Sequence, residues 1–113
     1  MATIGNFTGG VNTPATITET ALTGTDTFVY DASGTLVVRN STGASVTLTI
    51  TGSTATTTKI VDGGGTVPLA PGVSVAVAAG AVKSIKLGSI RDFLKGTIAV
   101  TGGSAGVFAY ILK

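Results

Sequence analysis

Apolar and polar side chains alternate along most of this 113-residue chain with a period of two residues. The clearest case is residues 45–51, where valine, leucine and isoleucine alternate with serine and threonine. This alternation is typical of a β-strand with one face in a core, and threonine suits the pleated backbone because it is β-branched. We therefore expect the apolar residues of this strand to be buried and Thr47, Thr49 and Thr51 to line the opposite face.

Similar segments follow one another at short intervals, separated by turn residues such as Pro71-Gly72. A turn at residues 41–43 predicts a hairpin between the strands on either side of it. The last strand has apolar side chains on both faces, so we expect it to be central in a sheet or to meet a partner. The predicted strands cover residues 15–22, 25–31, 35–40, 45–51, 59–61, 73–78, 81–87, 97–101 and 106–113.

Short antiparallel strands at this spacing indicate an all-β fold. We predict a single antiparallel β-sandwich or jelly roll of about eight short strands over residues 15–113. One short helical turn is expected near residues 89–94, with Ser89 as N-cap and Asp92 completing a capping box. The predicted core residues are Leu36, Val38, Val46, Leu48, Ile50, Val75, Ile85, Ile98 and Val100.

Residues 1–14 differ from the rest because they hold three glycines, two asparagines and a proline. Ile4, Phe7 and Val11 are their only apolar anchors, which are too few for a core element. We expect an extended N-terminal arm that projects from the sandwich and docks these three side chains on a neighbouring chain.

Charged residues make up 11% of the chain, against about 25% in an ordinary soluble domain, and the mean hydropathy is +0.56. This composition favours a surface that is partly buried against partners, although a compact, sparingly soluble monomer is the alternative. The net charge of +2 is too small to indicate nucleic-acid binding. We expect no disulfide, no secretory signal and no membrane span, in keeping with assembly in the cytoplasm.

The chain has no histidine, cysteine or tryptophan, so most general bases and soft metal ligands are missing. We therefore expect no enzyme: no catalytic residues, no metal site and no cofactor. A glycosidase pair of Asp26 or Asp31 with Asp62 has no support in the sequence. Carbohydrate binding would have to rely on Tyr30 and Tyr110, and the threonine row is too short for an ice-binding repeat.

Four features together resemble the small β-sandwich decoration, or cement, proteins of tailed-phage capsids. They are the N-terminal arm, the expected hairpin over residues 36–50, the turn Pro71-Gly72 and the closing segment 96–101. The resemblance implies a structural protein of the virion, a homodimer or homotrimer on the outer capsid surface. There it would bind the major capsid protein and stabilise contacts between its copies, with no role for nucleic acid or membrane.

The residues assigned to partner binding on this interpretation are Ile4, Phe7, Val11, Arg91 and Phe93. The alternative is a carbohydrate- or surface-binding β-sandwich module, such as an adhesin or fibre domain. An aromatic-lined groove would favour that alternative, and an apolar arm lying away from the body would favour the decoration protein.

Overall fold

The chain folds into short strands that form two packed sheets, with one 3₁₀ helix at Leu87–Phe93. The computed structural model describes residues 2–10, 12–55, 57–59, 66–69 and 71–113. The strands in these residues are β1 (Asn6–Phe7), β2 (Thr20–Ala21), β3 (Thr25–Phe28), β4 (Thr35–Asn40), β5 (Val46–Gly52), β6 (Thr57–Lys59), β7 (Thr66–Pro68), β8 (Val73–Val77), β9 (Val82–Lys86), β10 (Ile98–Thr101) and β11 (Val107–Leu112).

One sheet has the order β1-β11-β4-β9, with β2 pairing on β11, and the other has the order β3-β10-β5-β8. All pairings within them are antiparallel except that of β1 with β11, which is parallel. Strands β6 and β7 form a separate two-stranded sheet. The predicted all-β, sandwich-like fold is therefore confirmed, while the jelly roll stays a prediction.

The predicted hairpin at residues 41–43 is wrong. β4 pairs with β11 and β9, whereas β5 pairs with β10 and β8, so the chain crosses from one sheet to the other at this turn. The buried side chain of Asn40 holds the crossing: its amide nitrogen donates to the carbonyls of Ala44 at 2.8 Å and Val77 at 3.0 Å. Its amide oxygen accepts from the backbone nitrogen of Thr42 at 2.9 Å.

The expectation that the N-terminal arm, residues 1–14, projects from the sandwich is wrong for residues 2–7. Residues 2–7, which we call the strap, lie along one strand of each sheet. The backbone nitrogen of Ile4 donates to the carbonyl of Thr27 at 2.8 Å, and that of Ile111 donates to Gly5 at 2.9 Å. Ile4 is only 3% exposed and belongs to the core of its own chain. Its burial offsets the cost of ordering a segment with few apolar groups.

The core lies between the two sheets and follows the alternation seen in the sequence. Leu36, Val38, Leu48, Ile50, Ile98 and Val100 are buried, as predicted, and Val46, Val75 and Ile85 are half-buried against them. The predicted threonine row is on the opposite face of β5, with Thr47 exposed and the other two half-buried. Gly72, in the predicted turn, has φ +79°, and a side chain there would collide with the carbonyl of Ile50.

Two local predictions need correction. The helical turn begins at Leu87 rather than Ser89, and Ser89 caps nothing: its hydroxyl donates to the Lys86 carbonyl at 2.6 Å. The predicted strand over residues 15–22 is reduced to β2, so Ile17 lies outside it and is 36% exposed. The predicted strand at 59–61 overlaps β6 at Lys59, and its other two residues lie outside the described part of the chain.

Candidate functional site

The outward side of the five-stranded sheet is lined largely by apolar side chains. Along β11 the burial alternates, so that Val107, Ala109 and Ile111 point into the core and the residues between them point outward. The register places outward residues of β1, β4 and β9 beside them. We call this surface the apolar face, and its members are Phe7, Val37, Val82, Phe108, Tyr110 and Leu112.

Strand pairing arranges the apolar face in three rows. Phe108 and Val82 lie on either side of Arg39, and Tyr110 lies beside Val37. Leu112 lies between Phe7 and Thr35 in the third row. Val82 is 57% exposed and the other members are half-buried. Residues far apart in the sequence thus form one continuous surface.

One pair of charges lies within the apolar face, while Lys86 of β9, beside Thr35 in the third row, is exposed and forms no salt bridge with the described residues. The Arg39 guanidinium donates to both carboxylate oxygens of Glu19, from Nε at 2.9 Å and from Nη2 at 2.8 Å. These hydrogen bonds lower the pKa of Glu19 and raise that of Arg39. The guanidinium carbon also lies 4.6 Å from the ring centroid of Phe108, a cation–π distance. The pair therefore adds little net charge to the surface.

The outward side of the other sheet is different in character. Pairing places Thr25, Thr101, Thr49 and Ser74 in one row across all four strands, with Thr27, Ala99 and Thr51 in the next. These side chains are short and uncharged, and all of them except Ala99 carry a hydroxyl group. They suit a pleated sheet in contact with water, so the two outer faces of the sandwich have different chemistry.

A groove with a volume of about 540 Å³ lies at the end of β3. It is lined by Thr3, residues 27–30 and residues 96–98, and Val29 at its edge is 77% exposed. Tyr30 is half-buried and Phe28 is 4% exposed, so the groove offers one accessible aromatic ring. Among the described residues that line the groove, Tyr30 alone is ionisable, and one such group does not make a general acid–base site.

The carboxylates considered in the sequence do not meet around a common point within the described residues. Asp26 is fully buried. The carboxylate of Asp31 lies 2.8 Å from the Lys113 ammonium, and the hydrogen bond from Lys113 lowers the pKa of Asp31. Asp62 lies outside the described part of the chain. Across the described ranges no three His, Cys, Asp or Glu side chains are grouped for a metal ion, and no helix has the length and apolarity to span a membrane.

The residues predicted to bind a partner are not all brought together. Ile4 is buried in the core and Phe7 belongs to the apolar face, while Val11 lies outside the described residues. Arg91 is exposed and Phe93 is half-buried against the core, both on the 3₁₀ helix. That helix follows β9 and packs on β5, whereas Phe7 lies on β1 beside β11.

Most of the apolar face was missed because its members come from four strands. The apolar side chains on both faces of β11 are the one sequence pattern that indicated this surface. One face of the strand points into the core, and the other forms part of the apolar face. Alternation assigned Val37 to an outward position, yet no local pattern predicts that β4 pairs with β11 rather than with β5.

Comparison of the chain with protein-family models, with curated proteins and with solved structures finds no match in any of the three.

Proposed function

We propose that this chain is a structural protein that decorates the outer surface of a phage capsid. It binds the major capsid protein, acts as a homodimer or homotrimer, and stabilises contacts between capsid subunits. The apolar face carries the proposal, because a contiguous apolar patch on a soluble domain is most often a protein-binding surface. Such a function uses shape and apolar contact and needs no catalytic group.

The two outer faces of the sandwich give the bound protein an orientation. The apolar face, with the Arg39–Glu19 pair inside it and Lys86 at its edge, packs on the capsid, and the threonine-rich face points to water. Each apolar contact contributes about 25 cal/mol per Å² of buried area. Many copies bound to one lattice act together, so a modest contact per copy stabilises the particle.

We also infer that the sandwich is a jelly roll. The order β2-β11-β4-β9 in one sheet and β3-β10-β5-β8 in the other means that most consecutive strands lie in opposite sheets. Eight strands arranged in this way make two interleaved Greek keys. Jelly rolls are frequent in viral capsid proteins and in lectins, so this inference supports the proposal and its alternative equally.

Binding to capsids tests the proposal directly. Purified protein is mixed with undecorated phage heads and sedimented, and the bound copies per head are counted. The unmodified chain should saturate at a fixed number of copies. Val37→Lys places a charge in the centre of the apolar face and should abolish binding, because desolvating an unpaired ammonium costs several kcal/mol. Thr49→Lys makes the same change on the other outer face and should bind like the unmodified chain.

Equal binding of the two variants would show that the apolar face is not the contact. No binding of the unmodified chain to heads from a wide panel of phages would contradict the decoration function itself.

A carbohydrate- or surface-binding module is the second candidate, and the groove beside Tyr30 is the observation that favours it. A glycan array probed with the unmodified chain tests it. Binding that is lost in Tyr30→Ala and retained in Val37→Lys would replace the decoration function with this one.

A further inference from the structure

We propose that the strap of one copy also docks on a second copy of this chain, in the same position that it occupies on its own sandwich. The chain then self-associates by strand exchange, with each sandwich completed by a neighbour's strap. We call the position that receives the strap the slot, formed by β3, β11 and the core side chains beneath Ile4.

The slot binds the strap through backbone and side-chain groups of the sandwich. Thr27 accepts from Ile4 at 2.8 Å and donates to Ala2 at 2.9 Å. At the other sheet, Ile111 donates to Gly5 and Lys113 donates to Phe7, both at 2.9 Å.

Two side chains add to these backbone contacts. The buried carboxylate of Asp26 accepts from the backbone nitrogen of Ala2 at 3.0 Å, and the Thr20 hydroxyl accepts from Gly5 at 3.1 Å. Without a strap, the Ile4 site would be an apolar cavity and the backbone groups of β3 would lose their partners. An empty slot is therefore costly, and the sandwich needs a strap from some source.

The segment that joins the strap to β2 permits exchange. Residues 8–10 and 12–18 are all exposed, and none of them takes part in a backbone hydrogen bond with the described residues. The eleven residues 8–18 can span up to about 36 Å when extended, which equals the middle dimension of the molecule, 36 Å. Gly9 and Gly10 in this segment permit a wide range of backbone directions.

Exchange costs little because the contacts are the same in both arrangements. A strap in its own slot and a strap in a neighbour's slot make identical hydrogen bonds and bury the same Ile4 side chain. The balance is then set by concentration and by the connecting segment, as in other domain-swapped proteins. At high protein concentration the exchanged form becomes more populated, and it links copies of the chain without any new surface.

Engineered cysteines can report exchange because the chain has none of its own. Thr3 and Thr27 are paired in a parallel bridge. Paired strands lie about 4.8 Å apart, within the Cα separation of about 4.4–6.8 Å that a disulfide requires. The full-length single variants Thr3→Cys and Thr27→Cys are mixed at high concentration, warmed, cooled and oxidised, with one of them carrying a mass tag.

A disulfide-linked heterodimer is expected, and its yield should rise with protein concentration. The matched control mixes Thr3→Cys with Thr47→Cys, whose cysteine is exposed on the same sheet face two strands from β3, and should give only the background of random collision. The double variant Thr3→Cys/Thr27→Cys should form an internal disulfide when dilute and linked dimers when concentrated.

The proposal would be overturned if the dilute double variant forms the internal disulfide but the mixture of Thr3→Cys and Thr27→Cys gives no more heterodimer than the control with Thr47→Cys. Failure of the double variant to form either product would overturn it as well, because the slot would then not hold the strap. The assay contains no capsid, so its result is independent of the decoration function.

Discussion

Among the residues whose burial the structure describes, two polar side chains are fully buried, and each joins segments that are distant in the sequence. Asn40 ties the end of β4 to the following turn and to the end of β8. Asp26, on β3, binds the start of the strap and the turn before its own strand. A buried polar group has to be satisfied by hydrogen bonds, so each of these side chains fixes the path of several backbone segments at once.

Asp26 has the more testable role because its charge can be titrated. Burial raises the pKa of Asp26, but hydrogen bonds from the Thr23 backbone and hydroxyl and from the Ala2 backbone outweigh it, so the net pKa lies below the ordinary value of 3.8. A carboxylate with a lowered folded pKa contributes stability that is fully present above the unfolded pKa. This contribution is lost as the pH falls through the folded pKa.

Asp26→Asn should lower the free energy of unfolding at pH 7 by about 2–3 kcal/mol. Each carboxylate oxygen of Asp26 accepts a hydrogen bond from a backbone nitrogen. The side-chain NH₂ group of an asparagine would face one of these backbone N–H donors, and that hydrogen bond would be lost. Urea unfolding followed from pH 7 to pH 2 should show the difference from the unmodified chain shrinking below about pH 4. Asp92→Asn is the matched control, because the Asp92 side chain has no hydrogen bond to the described residues. A pH-independent difference would contradict the role of the charge.

At the scale of elements, the sequence pattern predicts where the strands lie along the chain, but it does not predict which strands pair with each other. Alternation is a local property, so β4 was predicted with its observed bounds and the buried face of β5 was correct. Pairing depends on contacts between distant segments. The turn at residues 41–43 has the composition of a hairpin turn, yet Asn40 forms hydrogen bonds across the two sheets and directs β5 to the other side of the core.

The position of the strap could not be predicted for the same reason, because it depends on contacts with residues distant in the sequence. Three apolar anchors, Ile4, Phe7 and Val11, are too few for an independent element, and the sequence gives no sign that the sandwich leaves a place for Ile4. Asp26 offered a weak signal, since a charged residue at an inward position of a strand requires partners. Its partners, however, lie on the strap and in the preceding turn, and only the fold brings these together.

Ile4→Ala should destabilise the whole domain by about 2–5 kcal/mol, because it removes a buried side chain and leaves a cavity between the sheets. Chemical denaturation monitored by tyrosine fluorescence or circular dichroism measures the loss. Ile17→Ala deletes the same atoms from a side chain that is 36% exposed, and we expect a change below about 1 kcal/mol. Similar effects of the two variants would show that Ile4 is not a core residue in solution.

At the scale of the whole molecule, the two sheets protect their edges in different ways. The free edge of β3 is covered by the strap, and the edge strand β9 carries two lysines, Lys83 and Lys86, which disfavour pairing with another sheet. Apolar surface is instead concentrated on one outer face. This arrangement disfavours edge-to-edge pairing at β3 and β9 and leaves the apolar face on the outside of the molecule.

The same architecture predicts a gradient of local stability. Strands β4, β5, β10 and β11 are hydrogen-bonded on both sides within the packed sheets, so their amides should be released only by global unfolding. Strands β6 and β7 pair with each other and with no other described strand, so they should open independently. Native-state hydrogen exchange followed by NMR should therefore give the slowest rates in the four central strands and the fastest strand rates in the β6–β7 pair.

The amide of Ile4 distinguishes a strap that is part of the sandwich from one that detaches. Its hydrogen bond to Thr27 should confer protection intermediate between the central strands and β6, because the strap can open while the sheets stay paired. Asp26→Asn removes a group that holds the strap, so it should speed exchange at Ile4 more than at Leu48 in the centre of β5. Equal acceleration at the two amides would mean that strap and sandwich unfold as one unit, and strand exchange between copies would then require complete unfolding.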